Sequence, residues 1–175
     1  MSTDDDRLAQ IMQEKLALIL ESSSSTYVPH ALGDAYAQAI VAAAEDPDLA
    51  EQSVPLLEKD DRTVAALSEL PFDELSERCR DVVEEDPRGY LEAFLGAEEA
   101  EYWSGPEGGM NSGTAAATYV FTCNGLRYLY EWDFDGAGSQ FWCGDGHDVS
   151  TPEGKAAYEA EIADWAAQFE GIYDD

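Results

Sequence analysis

Basic residues are scarce in this chain of 175 residues. It has only three lysines, six arginines and two histidines. Proteins that bind nucleic acids neutralise phosphates with clustered Lys and Arg, and those that dock on anionic membranes use the same residues. We therefore expect no direct binding of DNA or RNA and no docking on an anionic membrane. The same scarcity leaves few groups that could hold phosphorylated substrates or nucleotides.

Cysteines and long apolar runs are also in short supply. Cys79, Cys123 and Cys143 are an odd number of thiols without the spacing of a metal or redox motif, so no disulfide framework is predicted. Reduced thiols are typical of the cytoplasm. Residues 1–6 are acidic and no long apolar run follows them, so we expect neither a secretory signal nor a transmembrane span. The predicted location is the cytoplasm.

The sequence contains none of the common catalytic motifs. It has no G-x-S-x-G elbow, no H-E-x-x-H pair, no Walker loop and no glycine fingerprint between a strand and a helix. Paired carboxylates are frequent, but in a chain this acidic they arise by chance and do not indicate acid–base catalysis. We therefore expect a protein that is not an enzyme, with no cofactor and no metal site.

Two short segments nevertheless carry groups that could do chemistry. Cys143 and His147 lie within a glycine-containing segment of five residues, which gives the ingredients of a zinc site or of a Cys–His nucleophile. A sheet-end thiol followed by a turn is the simpler interpretation. Glu131, Asp133 and Asp135 resemble the start of a calcium loop, but Trp142 stands where a bidentate Glu is needed. A solvated strand face, with nonspecific cation binding, is the preferred interpretation of these acids.

Acidic residues are what the chain has in abundance. Its 38 Asp and Glu residues give a formal net charge of −29. Such a charge opposes compaction, so concentrated salt, bound cations or a basic partner protein must help to accommodate it. Spread evenly over the surface expected for this mass, it amounts to one net charge per roughly 290 Å². B-DNA carries one per about 107 Å², so only a clustered arrangement could match DNA.

The chain changes character near residue 103. Residues 1–100 contain 24 acidic and 7 basic residues, whereas residues 101–175 contain 14 and 2 and most of the aromatic side chains. We predict a helical region at 1–102, a glycine-rich loop or linker at 103–117, and a β-meander with a C-terminal helix at 118–175. The two regions are expected to pack together as a single domain.

The predicted fold class is α+β. Apolar spacing and proline or capping signals predict helices at about 4–21, 30–45, 61–70 and 72–84, with further starts at Asp46-Pro47 and Asp86-Pro87. These short helices indicate an N-terminal antiparallel helical array.

Asn124-Gly125 lies between two alternating runs and predicts a hairpin that pairs Phe121 with Tyr128. A third strand is expected at 139–143, giving a three-stranded antiparallel β-meander with one aromatic face. A helix after residue 150 has a single apolar stripe, and we expect this amphipathic helix to cover that face.

These observations favour a small acidic binding protein, an inhibitor or decoy that presents carboxylates to a basic nucleic-acid-binding protein. Anti-restriction, anti-CRISPR and nuclease-immunity proteins share this general style, although no motif assigns the chain to one of those families. One alternative is a halophile protein whose acidity is only salt adaptation, and another is an enzyme that uses the Cys143–His147 loop. Tyr102 and Trp103 are predicted as aromatic contacts of the partner. The predicted acidic face consists of Asp60, Asp61, Glu84, Glu85, Asp86, Glu98, Glu99 and Glu101.

Overall fold

The computed structural model describes residues 3–22, 26–54, 62–104, 115–134 and 139–170. These residues form an α+β fold, as predicted. The helices are α1 (Thr3–Glu21), α2 (Val28–Ala43), α3 (Pro47–Ala50), α4 (Val64–Ser68), α5 (Phe72–Glu85), α6 (Pro87–Leu95) and α7 (Pro152–Glu170). The strands are β1 (Thr26–Tyr27), β2 (Glu98–Ser104), β3 (Ala115–Cys123), β4 (Leu126–Phe134) and β5 (Ser139–Cys143).

Local capping explains why the short helices begin where the sequence predicts. The Asp46 carboxylate accepts a hydrogen bond from the Asp48 N–H at 3.0 Å, and Asp86 accepts one from the Gly89 N–H at 3.0 Å. Both acids stand directly before a proline in the first helical turn, where the missing N–H of proline costs nothing. Gly96 ends α6 with φ of 59°, in the left-handed region that glycine favours.

The sheet has two more strands than predicted. Its order is β1-β5-β4-β3-β2, and all neighbouring strands are antiparallel. The additional strands lie at the two edges, and one of them, β1, is only two residues long. Strand β2 begins within the region predicted to be helical, and β2 and β3 both extend into the predicted linker. Residues 105–114 of that predicted linker lie outside the described residues.

The predicted hairpin is confirmed in its register. Cys123 pairs with Leu126, and Phe121 pairs with Tyr128. The two turn residues have φ values of 50° at Asn124 and 80° at Gly125, the conformation that a two-residue turn between twisted strands requires. The aromatic rings on this face stack in pairs, with centroids 5.3 Å apart for Phe121 and Tyr128.

The aromatic face of the sheet is covered by the N-terminal helices, not by α7 as predicted. Its buried rings belong to the same core cluster as side chains of α1, α2 and α6, and no described side chain of α7 is part of that cluster. The opposite face also has an apolar pair, Val120 and Leu129, and both are buried. On that face α7 approaches through Tyr158, which contacts Arg127. The sheet therefore has helices on both sides.

Candidate functional site

Helix α5 carries its acidic residues on one side. Its buried side chains are Leu75, Ser76, Cys79 and Val83. At about 100° per residue, the acids fall within about 120° of the helix circumference, opposite the buried side chains. All of these acidic side chains are exposed. We call this surface the acidic face of α5; it consists of Asp73, Glu74, Glu77, Asp81, Glu84 and Glu85.

Asp73 and Glu74 lie in the first turn of α5, where negative charge favours the helix, and Glu74 pairs with Arg78 at 3.0 Å. The remaining acids do not stabilise the helix that carries them. Asp73, Glu77, Asp81 and Glu85 follow one another at intervals of four residues, and each such pair of like charges costs about 0.2–0.5 kcal/mol. The last turn of α5 has no basic residue, although cations are the favoured charges at a helix C-terminus. Burial of the inner side of α5 must offset this repulsion.

A groove opens at the C-terminal end of this acidic face. It has a volume of about 360 Å³ and lies where the turn between α5 and α6 approaches the sheet. We call it the acidic–aromatic groove. It is lined by Tyr27, Glu84, Glu85, Asp86, Pro87, Arg88, Trp132 and Phe141.

Distant segments of the chain build one wall of the groove. His30 of α2 lies against Glu84 of α5, with 2.7 Å between Nε2 and Oε1. The edge of the His30 ring meets the ring of Tyr27 at a centroid distance of 4.9 Å. Burial, and then the charge of Glu84, raise the pKa of Tyr27. This wall therefore keeps a neutral phenol next to a carboxylate.

Aromatic rings and one arginine form the other side of the groove. The Arg88 guanidinium lies 4.8 Å from the ring centroid of Tyr119 and 5.6 Å from that of Trp132, within the range of a cation–π contact. The rings of Trp132 and Phe141 are 6.2 Å apart. The groove therefore combines three carboxylates, one guanidinium and three aromatic rings.

The structure brings together three of the eight acids that the sequence predicted as a partner-binding face. Glu84, Glu85 and Asp86 are exposed and line the groove, whereas Glu98 is exposed at the start of β2 and does not line it. Asp60 and Asp61 lie outside the described residues. The backbone of β2 contains Glu99, Glu101, Tyr102 and Trp103, whose side chains lie outside the described residues.

Sequence reasoning missed part of this surface. Asp73, Glu77 and Asp81 belong to the acidic face of α5 and were not among the predicted acids. Their spacing of four residues within the predicted helix 72–84 is the sequence pattern that could have identified them as one face. No local signal links Trp132 and Phe141 to the turn that contains Glu85, because they lie on strands far along the chain.

The Cys143–His147 loop has the wrong environment for a thiolate nucleophile. Cys143 is 2% exposed, and burial, together with nearby Glu161, raises the pKa of its thiol. His147 Nε2 lies 2.6 Å from Glu161 Oε2. Reactive cysteines need a lowered pKa and access to solvent, so this arrangement favours a structural role.

The calcium-loop interpretation receives no support from the backbone. Glu131 and Asp133 lie within β4, and Asp135 lies outside the described residues. Among the residues that the structure describes, no group of three or more His, Cys, Asp and Glu side chains is placed to hold a metal ion.

Comparison with protein-family models, curated proteins and solved structures finds no match for this chain. Within the described part of the chain, no helix combines the length and apolar character needed to cross a membrane.

Proposed function

We propose that this protein is a small, acidic, non-enzymatic binding protein that presents carboxylates to a basic nucleic-acid-binding protein, as an inhibitor or decoy would. The acidic face of α5 and the groove at its end are the observation that carries this proposal. Together they place exposed carboxylates in a defined row next to a cavity of about 360 Å³. A row of this kind offers a shaped surface instead of diffuse charge.

The local charge density supports the decoy interpretation. From Asp73 to Glu85 the helix rises about 18 Å, so its six exposed carboxylates are on average about 3.6 Å apart along the axis. A strand of B-DNA carries one phosphate per about 3.4 Å. Along this one line, the carboxylates are therefore spaced about as closely as the phosphates of a single DNA strand.

The energetics of α5 point in the same direction. The carboxylates spaced four residues apart repel one another, and Glu84 and Glu85 in the last turn oppose the helix dipole. A cationic surface would relieve this part of the cost that the free protein bears. Complementary charge would also raise the rate of encounter with a basic partner, most strongly at low salt. An acidic row that is unfavourable in the free protein is well suited to a basic partner.

Isothermal titration against purified basic proteins tests this proposal. A nuclease, a restriction enzyme and a CRISPR effector would be titrated at about 0.1 M KCl, where the screening length is about 10 Å. DNA would then be added as a competitor. We expect binding to at least one of them, weakened by salt and displaced by DNA. Absence of binding across the panel contradicts the proposal.

A matched pair of variants distinguishes the effect of where the charges lie from the effect of the total charge on binding. The triple variant Asp73→Asn, Glu77→Gln, Asp81→Asn removes three charges from the acidic face of α5. The control Glu153→Gln, Glu159→Gln, Asp164→Asn removes three exposed charges from α7. We expect the first variant to weaken binding about tenfold more than the control, since a rim charge pair contributes at most about 1 kcal/mol. Equal losses would mean that only bulk charge matters.

Salt adaptation is the second candidate, and the wide distribution of exposed acids favours it. Exposed carboxylates also occur on α1 and α7, for example Glu14 and Glu153. This alternative requires a fold that is lost at low salt. Circular dichroism from about 0.1 M to above 1 M KCl, where the screening length falls from about 10 Å to about 3 Å, distinguishes the two. Unfolding at the lower concentration would favour salt adaptation over a decoy.

A further inference from the structure

The acidic–aromatic groove has the chemistry of a pocket for one particular side chain. We infer that it binds an arginine side chain of the basic partner, with the guanidinium between the aromatic rings and the carboxylates of the α5–α6 turn. This inference rests on the proposed function, because the basic partner supplies the arginine. It adds a specificity pocket to what would otherwise be a surface of charge.

The size of the groove limits what can enter it. Its volume of about 360 Å³ lies at the lower end of the range of about 300–1,000 Å³ that ligand pockets occupy. A single long side chain suits such a cavity better than a folded segment does. We expect the partner's main chain to stay outside the groove, at the rim next to the acidic face of α5.

The aromatic side of the groove suits a planar cation. A guanidinium stacks on aromatic faces, whereas a lysine ammonium is a compact and strongly hydrated point charge. The fold already contains one such contact, since the Arg88 guanidinium lies 5.6 Å from the ring centroid of Trp132. Because Phe141 is only 4% exposed, an incoming guanidinium would meet the half-buried rings of Tyr27 and Trp132 and would share the latter with Arg88. Arg88 adds one positive charge to the lining, and the three carboxylates of Glu84, Glu85 and Asp86 outnumber it.

The acidic side of the groove supplies acceptors for the guanidinium. Glu84 uses Oε1 for His30, and Asp86 uses Oδ1 for the N–H of Gly89. The Glu85 carboxylate is exposed, and no side-chain hydrogen bond or ion pair joins it to the residues that the structure describes. Carboxylates next to one another match the fork of N–H donors on arginine, a geometry that lysine cannot reproduce. We therefore assign Glu85 as the principal acceptor.

Nuclear magnetic resonance of the full-length protein with a minimal probe tests the pocket. The peptide acetyl-Gly-Arg-Gly-amide would be titrated while the indole N–H signals are followed, with the Trp132→Phe variant assigning one of them. The matched peptides carry Lys or Ala in place of Arg. We expect the arginine peptide to shift the Trp132 signal in a saturable manner with millimolar affinity, the lysine peptide to bind more weakly, and the alanine peptide to leave it unchanged.

Two conservative variants test whether the arginine peptide binds at Glu85. Glu85→Gln keeps the shape of the side chain and should weaken binding of the arginine peptide about two- to fivefold, the loss expected for a partly exposed ion pair. The control Glu153→Gln on α7 removes the same charge far from the lining residues and should leave the affinity unchanged. Equal binding of the arginine and lysine peptides, or no effect of Glu85→Gln, would overturn the inference.

The two proposals fail in different ways. A basic protein could bind through the acidic face of α5 while Glu85→Gln changes the affinity neither for that protein nor for the peptide. In that case the proposed function is retained and the arginine pocket is rejected. If the arginine peptide binds as described but no basic nucleic-acid-binding protein does, the arginine pocket is retained and the proposed function is rejected.

Discussion

Asp34 differs from the surface acids of this protein because it holds two helices together. Arg80 of α5 donates to its two oxygens, from Nε to Oδ1 at 2.8 Å and from Nη2 to Oδ2 at 2.9 Å, and the Ser76 hydroxyl donates to Oδ1 at 2.5 Å. Burial by itself raises the pKa of Asp34, but the hydrogen bonds from Arg80 and Ser76 leave it lowered. Gly33 allows α2 and α5 to approach closely enough for this contact, because a Cβ at that position would lie 2.6 Å from Arg80 Cα.

The variant Asp34→Asn should destabilise the protein by about 1–2 kcal/mol at pH 7, because charged hydrogen bonds contribute more than neutral ones and Arg80 is partly exposed. A carboxyl whose pKa is lowered by folding stabilises the fold above its unfolded pKa of about 3.9, and this contribution is lost as the pH falls through the folded value. Urea unfolding at several pH values should therefore show the difference from wild type shrinking below about pH 4. A constant difference, or one equal to that of the exposed control Glu77→Gln, would contradict the assignment.

All three thiols of the protein are free and buried. Burial raises the pKa of Cys79 to about 12 and that of Cys123 to about 11, and it also raises that of Cys143. Since the thiolate is the reactive form, all three should react slowly with an aromatic disulfide reagent at pH 7 and rapidly in urea. One fast-reacting thiol in the folded protein, absent from Cys143→Ser, would revive the enzyme alternative.

At the scale of elements, polar contacts tie α7 to the rest of the molecule. Tyr158 accepts a hydrogen bond from Arg127 Nε at 3.4 Å, and His147 pairs with Glu161. His147 is itself fixed by two backbone hydrogen bonds of 2.8 Å to Arg127. The side chains described on α7 are exposed or half-buried, so these contacts matter more for α7 than they would for a buried helix.

The variant His147→Ala should therefore loosen α7 selectively. We expect faster hydrogen exchange of the α7 amides, while those of α2 keep their protection because local openings precede global unfolding. Lys155→Ala is the matched control, since it removes only an exposed pair with Glu159 at 3.8 Å, which is worth little. Equal acceleration in α2 and α7, or no change in either, would argue against this role.

Local signals allowed the elements to be predicted, and long-range contacts explain what was missed. The caps at Asp46 and Asp86 and the Asn124-Gly125 turn are decided by neighbouring residues, and all three are confirmed. The prediction that α7 covers the aromatic face of the sheet was wrong, because the apolar pair Val120 and Leu129 on the other face was overlooked. Of the candidate site, the sequence predicted Glu84 to Asp86 but not the rings beside them. Those rings come from strands far along the chain.

At the scale of the whole molecule, the net charge of −29 must be screened for the fold to persist. We expect the protein to be folded at about 0.1 M KCl, with a thermal midpoint that rises by several degrees as KCl approaches 1 M and the screening length falls to about 3 Å. Circular dichroism during heating measures this. A midpoint that is independent of salt would mean that self-repulsion does not limit stability.

Strand β2 bears on how copies of this protein behave toward one another. It is an edge of the sheet, its sequence contains Glu98, Glu99 and Glu101, and its register with β3 shifts between Glu99 and Glu101. Charges and irregular pairing at an edge are the usual protection against strand addition. Two such edges would bring like charges together, so crowded copies should stay apart and aggregation through this edge is disfavoured.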